Sequence, residues 1–128
     1  MKTNLSTTFT SLLPRIREAA EGNNTVTFVG SAAAPETLQT VAWSEIHADA
    51  LNMASSLQSR GIKPGDHIAL LGLTSRLLVT ALQAVWMAGG CAIMLPIPMR
   101  MNSIGEFISQ TRASINYSDT KMLLLDPG

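Results

Sequence analysis

Between Arg76 and Arg100 the chain runs for 23 residues without a charge, LLVTALQAVWMAGGCAIMLPIPM from Leu77 to Met99. A bilayer-spanning helix needs about 20 consecutive apolar residues in one unbroken segment, and this run has that length. Its punctuation argues against a span. Gly89-Gly90 interrupts it near the middle, and Pro96 and Pro98 close its far end. Glycine is favoured just past a helix C-terminus, where the backbone enters the left-handed region without a Cβ penalty. Thr80 and Gln83 add polarity, and no Lys/Arg cluster flanks the run to anchor it. The run therefore predicts a buried helix, a Gly-Gly turn and a strand CAIML, Cys91 to Leu95, buried on both faces as central parallel strands are. No membrane span is expected.

A chain of 128 residues is one domain's worth, with enough length for a real core. Nine basic residues balance nine acidic ones, which argues against nucleic acid or an anionic membrane as partner. Charged residues make up only 14% of the chain and apolar ones 46%. That is sparse for a free-standing surface and fits a chain that expects more protein around it. Cys91, the single cysteine, is expected to be a buried structural thiol within its strand. The opening MKTNLSTTFTSLLPRI lacks an apolar h-region and a small-residue cleavage site, so no secretory signal is expected and a cytoplasmic location is. The sequons at Asn4, Asn23 and Asn116 are then chance matches.

The order of elements follows from period and punctuation. A helix is expected from Ser6 or Thr7 to Glu21, kinked or starting late because Pro14 cannot donate to its ladder. TVTFV, Thr25 to Val29, and Thr37 to Val41 read as a hairpin. Trp43-Ser44 opens a helix with Ser44 as N-cap. Its apolar stripe is Ile46, Ala50, Met53, Ala54 and Leu57. Gly61 ends it, with Ile62 placed for a hydrophobic contact. Lys63-Pro64-Gly65-Asp66 reads as a type II turn, and His67 to Gly72 as a short buried strand. Thr74 or Ser75 caps the helix of the uncharged run. Asn102 or Ser103 caps another, with Ile104, Phe107, Ile108 and Ile115 on its buried side. Lys121 to Asp126 is the last strand. The fold class is thus α/β: a partial doubly wound parallel sheet of three βαβ-linked strands, preceded by a helix and a β-hairpin.

The usual chemical signatures are missing from the sequence. It contains no G-x-G-x-x-G, no G-x-x-x-x-G-K-[ST] and no G-x-S-x-G. His47 and His67 stand apart, without metal-ligand spacing, and read as surface or element-end histidines. Asp66 reads as a turn residue. Asp126 sits at the carboxyl end of a predicted parallel strand, where open α/β sheets bind ligands, though a loop-starting Asp is the simpler reading. Met53, Met87, Met94 and Met122 read as core packing.

Four short pieces carry a resemblance: Val41-Ala42-Trp43-Ser44-Glu45, Pro64-Gly65-Asp66, Ala88-Gly89 and Leu95-Pro96. In this order and spacing, across nearly the whole chain, they resemble the opening of an adenylate-forming ligase. That superfamily includes acyl-CoA synthetases, fatty-acyl-AMP ligases and peptide-synthetase adenylation domains. The segments Leu95-Pro96-Ile97-Pro98, Met99 to Gln110 and Leu123 to Pro127 are most similar to fatty-acyl-AMP ligases and long-chain ligases of actinobacteria. The resemblance implies that residues 1–128 form the N-terminal portion of the large domain. It also implies a parent enzyme that activates a fatty acid with ATP and magnesium to an acyl-adenylate, releasing pyrophosphate, and passes the acyl group to CoA or a carrier protein. The family's phosphate loop, adenine motif, ribose-binding Asp and catalytic Lys lie later than this chain reaches. The resemblance therefore assigns no catalytic, cofactor-binding or metal residue here, and the chain alone is expected to hold no cofactor and to be inactive. Its expected partner is the remainder of the ligase or a second copy of itself. The rival reading is a non-catalytic α/β binding or interaction module. The helix Leu77 to Ala88 is the one candidate for an acyl-tunnel wall, with core packing as its simpler role.

Overall fold

The structure, a computed structural model, describes residues 11–30, 37–97 and 103–126. In chain order the elements are α1 (Leu13–Glu21), β1 (Thr25–Val29), β2 (Leu38–Ala42), α2 (Trp43–Ser59), β3 (His67–Leu71), α3 (Arg76–Met87), β4 (Cys91–Met94), α4 (Ile104–Tyr117) and β5 (Thr120–Leu125). The α/β class and element order are those read from the sequence. The expected helix start at Ser6 or Thr7 lies outside the described residues. Within them α1 carries Pro14 in its first turn, where a missing N–H costs nothing.

β1 and β2 form an antiparallel hairpin with Val29 opposite Leu38 and Thr27 opposite Thr40. The two threonine hydroxyls share a hydrogen bond of 2.9 Å. β2 runs into α2 without a loop. The Trp43 N–H is taken by the Asn24 carbonyl at 3.0 Å, and the N-cap is Ala42, with no side-chain cap. Ser44 therefore falls in the first turn and is not the cap the sequence suggests. Its place is set by the hairpin, which already supplies the acceptor.

Both central helices end in the same device. At the end of α2, the Ile62 N–H reaches the Leu57 carbonyl and the Gly61 N–H the Gln58 carbonyl, with Gly61 at φ +95°. At the end of α3, Gly90 bonds Val85 and Gly89 bonds Trp86, with Gly89 at φ +83°. These are Schellman motifs, which satisfy the orphan carbonyls of the last turn. The Gly-Gly break is thus a helix stop, and no helix among the described residues is long and apolar enough to cross a membrane. The Lys63–Asp66 turn closes through Asp66 N–H to the Lys63 carbonyl, with Gly65 at φ +87° as type II requires. The two turns are fastened together: Gly65 N–H donates to the Gly89 carbonyl at 2.9 Å and Cys91 N–H to the Asp66 carbonyl at 2.8 Å.

The sheet order is β4-β3-β5, all parallel. β3 is the central strand, and Ile68, Ala69 and Leu70 have no exposed surface. Alternate strand residues point to opposite faces. Ile68 joins Ala50, Ala54, Leu57, Ile62, Ala84, Val85 and Ala88 in one cluster with α2 and α3, and Leu70 joins Leu78 and Ala81 beside it. Ala69 faces the other way, onto the side where the second right-handed crossover carries α4.

Three expectations fail for one reason. The sequence predicts a central β4, but among the described residues this strand has β3 as its only neighbour. Cys91 is exposed and Met94 is 51% exposed, so neither is a core residue. The crossover through α3 sets β4 on one side of β3, and β5 docks on the other. α4 likewise lacks the deep cover expected of it. Of the four apolar residues expected on its buried side, Ile104 and Ile108 are exposed and Phe107 and Ile115 are half-buried. Apolar spacing marks the face a helix offers, and no described element packs over this one's outer half.

Thr80 and Gln83 form a second buried face of α3. Thr80 Oγ1 donates back to the Arg76 carbonyl at 2.8 Å. Gln83 is buried, and its Oε1 has no hydrogen-bond partner among the described residues. A buried unsatisfied carbonyl costs about 1–3 kcal/mol, whereas an apolar replacement of similar shape avoids that penalty. Gln83→Leu is therefore expected to raise the urea midpoint, by a stability gain of about 1 kcal/mol.

Candidate functional site at the carboxyl ends of the sheet

In an open parallel sheet, ligands bind outside the carboxyl ends of the strands. On this side of the sheet α3 starts after β3, against the end of β5. Ser75 is the N-cap of α3 and accepts from the Leu78 N–H at 3.0 Å. The same hydroxyl donates to Asp126 Oδ2 at 2.6 Å, a short charge-assisted bond. The Asp126 N–H continues the ladder to the Leu71 carbonyl at 3.0 Å. Next along the helix, the Arg76 guanidinium pairs with Asp49 at 3.1 Å and Glu45 at 3.5 Å, bridging α3 to α2.

Two concavities adjoin this cluster. One is an apolar cavity of about 110 Å³ between Met53, Leu70, Leu77, Leu78, Ala81 and Leu124. The other is an open groove of about 590 Å³ between the hairpin end, at Val29 and Leu38, and the β3–α3 turn, at Leu73 to Arg76. The helix named from the sequence as a tunnel-wall candidate does line the smaller cavity, through Leu77, Leu78 and Ala81.

The chemistry of this arrangement is structural. Ser75 has no imidazole to take its proton, and its lone pair already serves the helix. His67 sits at the opposite, amino end of β3, where its Nδ1–H donates to the Ser118 carbonyl and ties β3 to the turn before β5. His47 lies on α2, and Asp66 accepts from the Lys63 N–H at 2.8 Å within its turn. Among the described residues no three His, Cys, Asp or Glu side chains come together to hold a metal. Asp126 is thus at the place the sequence suggests. Its partner Ser75, 51 residues earlier, is visible in the sequence only as a possible cap.

Comparison with known proteins identifies the class this fold represents. The family model described as AMP-binding enzyme matches residues 16–122. The chain belongs to the AMP-binding enzyme family. It is 28% identical over 75 residues to a probable CoA ligase of Humulus lupulus, covering 59% of this chain and 11% of that protein. A fatty acyl-adenylate ligase of Legionella pneumophila, solved with acyl adenylate and pyrophosphate, is similar over 91% of this chain and 20% of its own. Its TM-score is 0.77 at 23% identity. O-succinylbenzoate coenzyme A synthetase of Bacillus subtilis, solved with AMP, is similar over 88% of this chain and 26% of its own, with a TM-score of 0.64 at 23% identity. The chain therefore spans about a ninth of the curated relative and about a fifth to a quarter of these solved chains. Their shared fold is the helix, hairpin and three-stranded parallel sheet described above.

Proposed function

We propose that this chain supplies the opening, sheet-forming part of the large domain of an ATP-dependent ligase. The ligase converts a carboxylic acid to its acyl-adenylate with release of pyrophosphate, using magnesium, and passes the acyl group to CoA or a carrier protein. The observation that carries this reading is the family match across residues 16–122. A fatty acid is the favoured substrate, because solved neighbours over 91% of the chain include ligases that make fatty acyl-adenylates. The enzyme would work in the cytoplasm.

On this reading the 128 residues alone are expected to be inactive. Their sequence holds no Gly-rich phosphate loop, and the Ser75–Asp126 pair at the sheet end takes part in capping a helix. In an ATP–pyrophosphate exchange assay with medium- and long-chain fatty acids, the purified chain is expected to show no acid-dependent exchange. Turnover above background would overturn the assignment of a purely structural role. Both outer edges of the sheet, on β4 and β5, carry no ladder partner among the described residues, and unpaired edges invite pairing with another chain. The partner is either later ligase sequence or a second copy. Light scattering of the isolated chain is expected to give a dimer or larger species, and a monomer at millimolar concentration would count against self-association.

A further inference from the structure

The contacts around Asp126 have a consequence for how α3 opens. A serine hydroxyl has one proton to give and lone pairs to accept with. Asp126 fixes the Ser75 proton, which leaves the oxygen's lone pairs facing Leu78 N–H; hydrogen bonds in such a chain strengthen one another. Asp126 is in turn held by its own N–H on Leu71 and by close backbone approach at Gly72. A Cβ at Gly72 would lie 2.7 Å from the Asp126 Cβ, too near for either to stay in place. We infer that Asp126 is a remote capping partner of α3, so that the end of β5 and the first turn of α3 open and close as one unit. Movement at the end of β5 then reaches the first turn of α3 through the Ser75 hydroxyl, and Gly72 is the spacer that permits it.

Residue-resolved amide exchange on the 128-residue chain tests this, with Leu78 as reporter and the α2 amides of Ala54 and Leu57 as reference. Asp126→Ala is expected to speed Leu78 exchange several-fold, up to the roughly tenfold ceiling set by losing the Ser75 cap itself. Gly72→Ala should do the same without touching Ser75. Asp126→Asn keeps an acceptor for the hydroxyl and should stay within about threefold of the parent. Ser75→Ala with Asp126→Ala should exchange no faster at Leu78 than Ser75→Ala alone, because the two act through one bond. The inference is overturned if Leu78 is unmoved in Asp126→Ala, if the two substitutions multiply, or if the α2 amides accelerate by the same factor as Leu78.

Discussion

Replacing Ile68 by alanine is expected to destabilise the chain by about 3–4 kcal/mol, the range for truncating a fully buried aliphatic side chain. Ile68 has no exposed surface, lies on the central strand, and shares one core cluster with Leu57 of α2 and Ala84 and Val85 of α3. Those helices end in rigid Schellman turns, which leaves the site little freedom to collapse onto the cavity. Domains of this kind have only about 5–15 kcal/mol in total, so much of the cooperative transition should vanish. Urea unfolding followed by circular dichroism measures it, with an unchanged slope as the sign of a pure stability effect. Ile108→Ala is the matched control. Ile108 is 48% exposed on α4, and the same truncation there should cost less than about 1 kcal/mol. Equal losses at both positions would mean that α4 is buried as deeply as β3, against the fold described.

The second large effect is at Gly89. Alanine there is expected to cost about 2 kcal/mol, since the left-handed conformation costs an L-residue roughly 1–2 kcal/mol and a Cβ would also press on Pro64, whose Cα lies 3.3 Å away. The damage should spread, because the Gly89 carbonyl holds Gly65 and so joins the α3–β4 turn to the α2–β3 turn. Gly61 offers the contrast. It has φ +95°, but a Cβ there would meet nothing within 4 Å, so Gly61→Ala should show the conformational cost alone. Midpoints from urea unfolding of the two variants separate strain from contact, and a Gly89→Ala loss no greater than Gly61→Ala would remove the contact from the account.

Local signals carry most of the fold. Gly61, the Pro64-Gly65 pair, Gly89 and the caps Ser75 and Ser103 each announce a chain conformation that needs only neighbouring residues to form. The errors fall where a residue's fate depends on distant chain. CAIML and HIALL both read as buried strands, and nothing within either says which will lie between two others. That is decided by the side on which β5 docks. Ser44 looks like a cap until β2 runs straight into the helix. The apolar stripe of α4 is visible as a stripe, but its cover belongs to no described element. The candidate site shows the same limit. Ser75 and Asp126 are each legible as residues at an element end, yet their 2.6 Å bond joins positions 51 apart, and no periodicity reports such a pair.

The central position of β3 also sets a timetable. His67 pairs with Cys91, 24 positions later, and with Thr120, 53 positions later. A ribosome adds about 5–20 residues per second, so β4 is made seconds before β5, while helices and short strand pairs form in about microseconds. β3, α3 and β4 can therefore assemble on one side while the other edge of β3 has no partner yet synthesised. For that interval the central, most deeply buried strand of the sheet presents an open ladder to its surroundings. The hazard of mispairing during synthesis is concentrated there, and it ends when β5 arrives and Asp126 reaches Ser75.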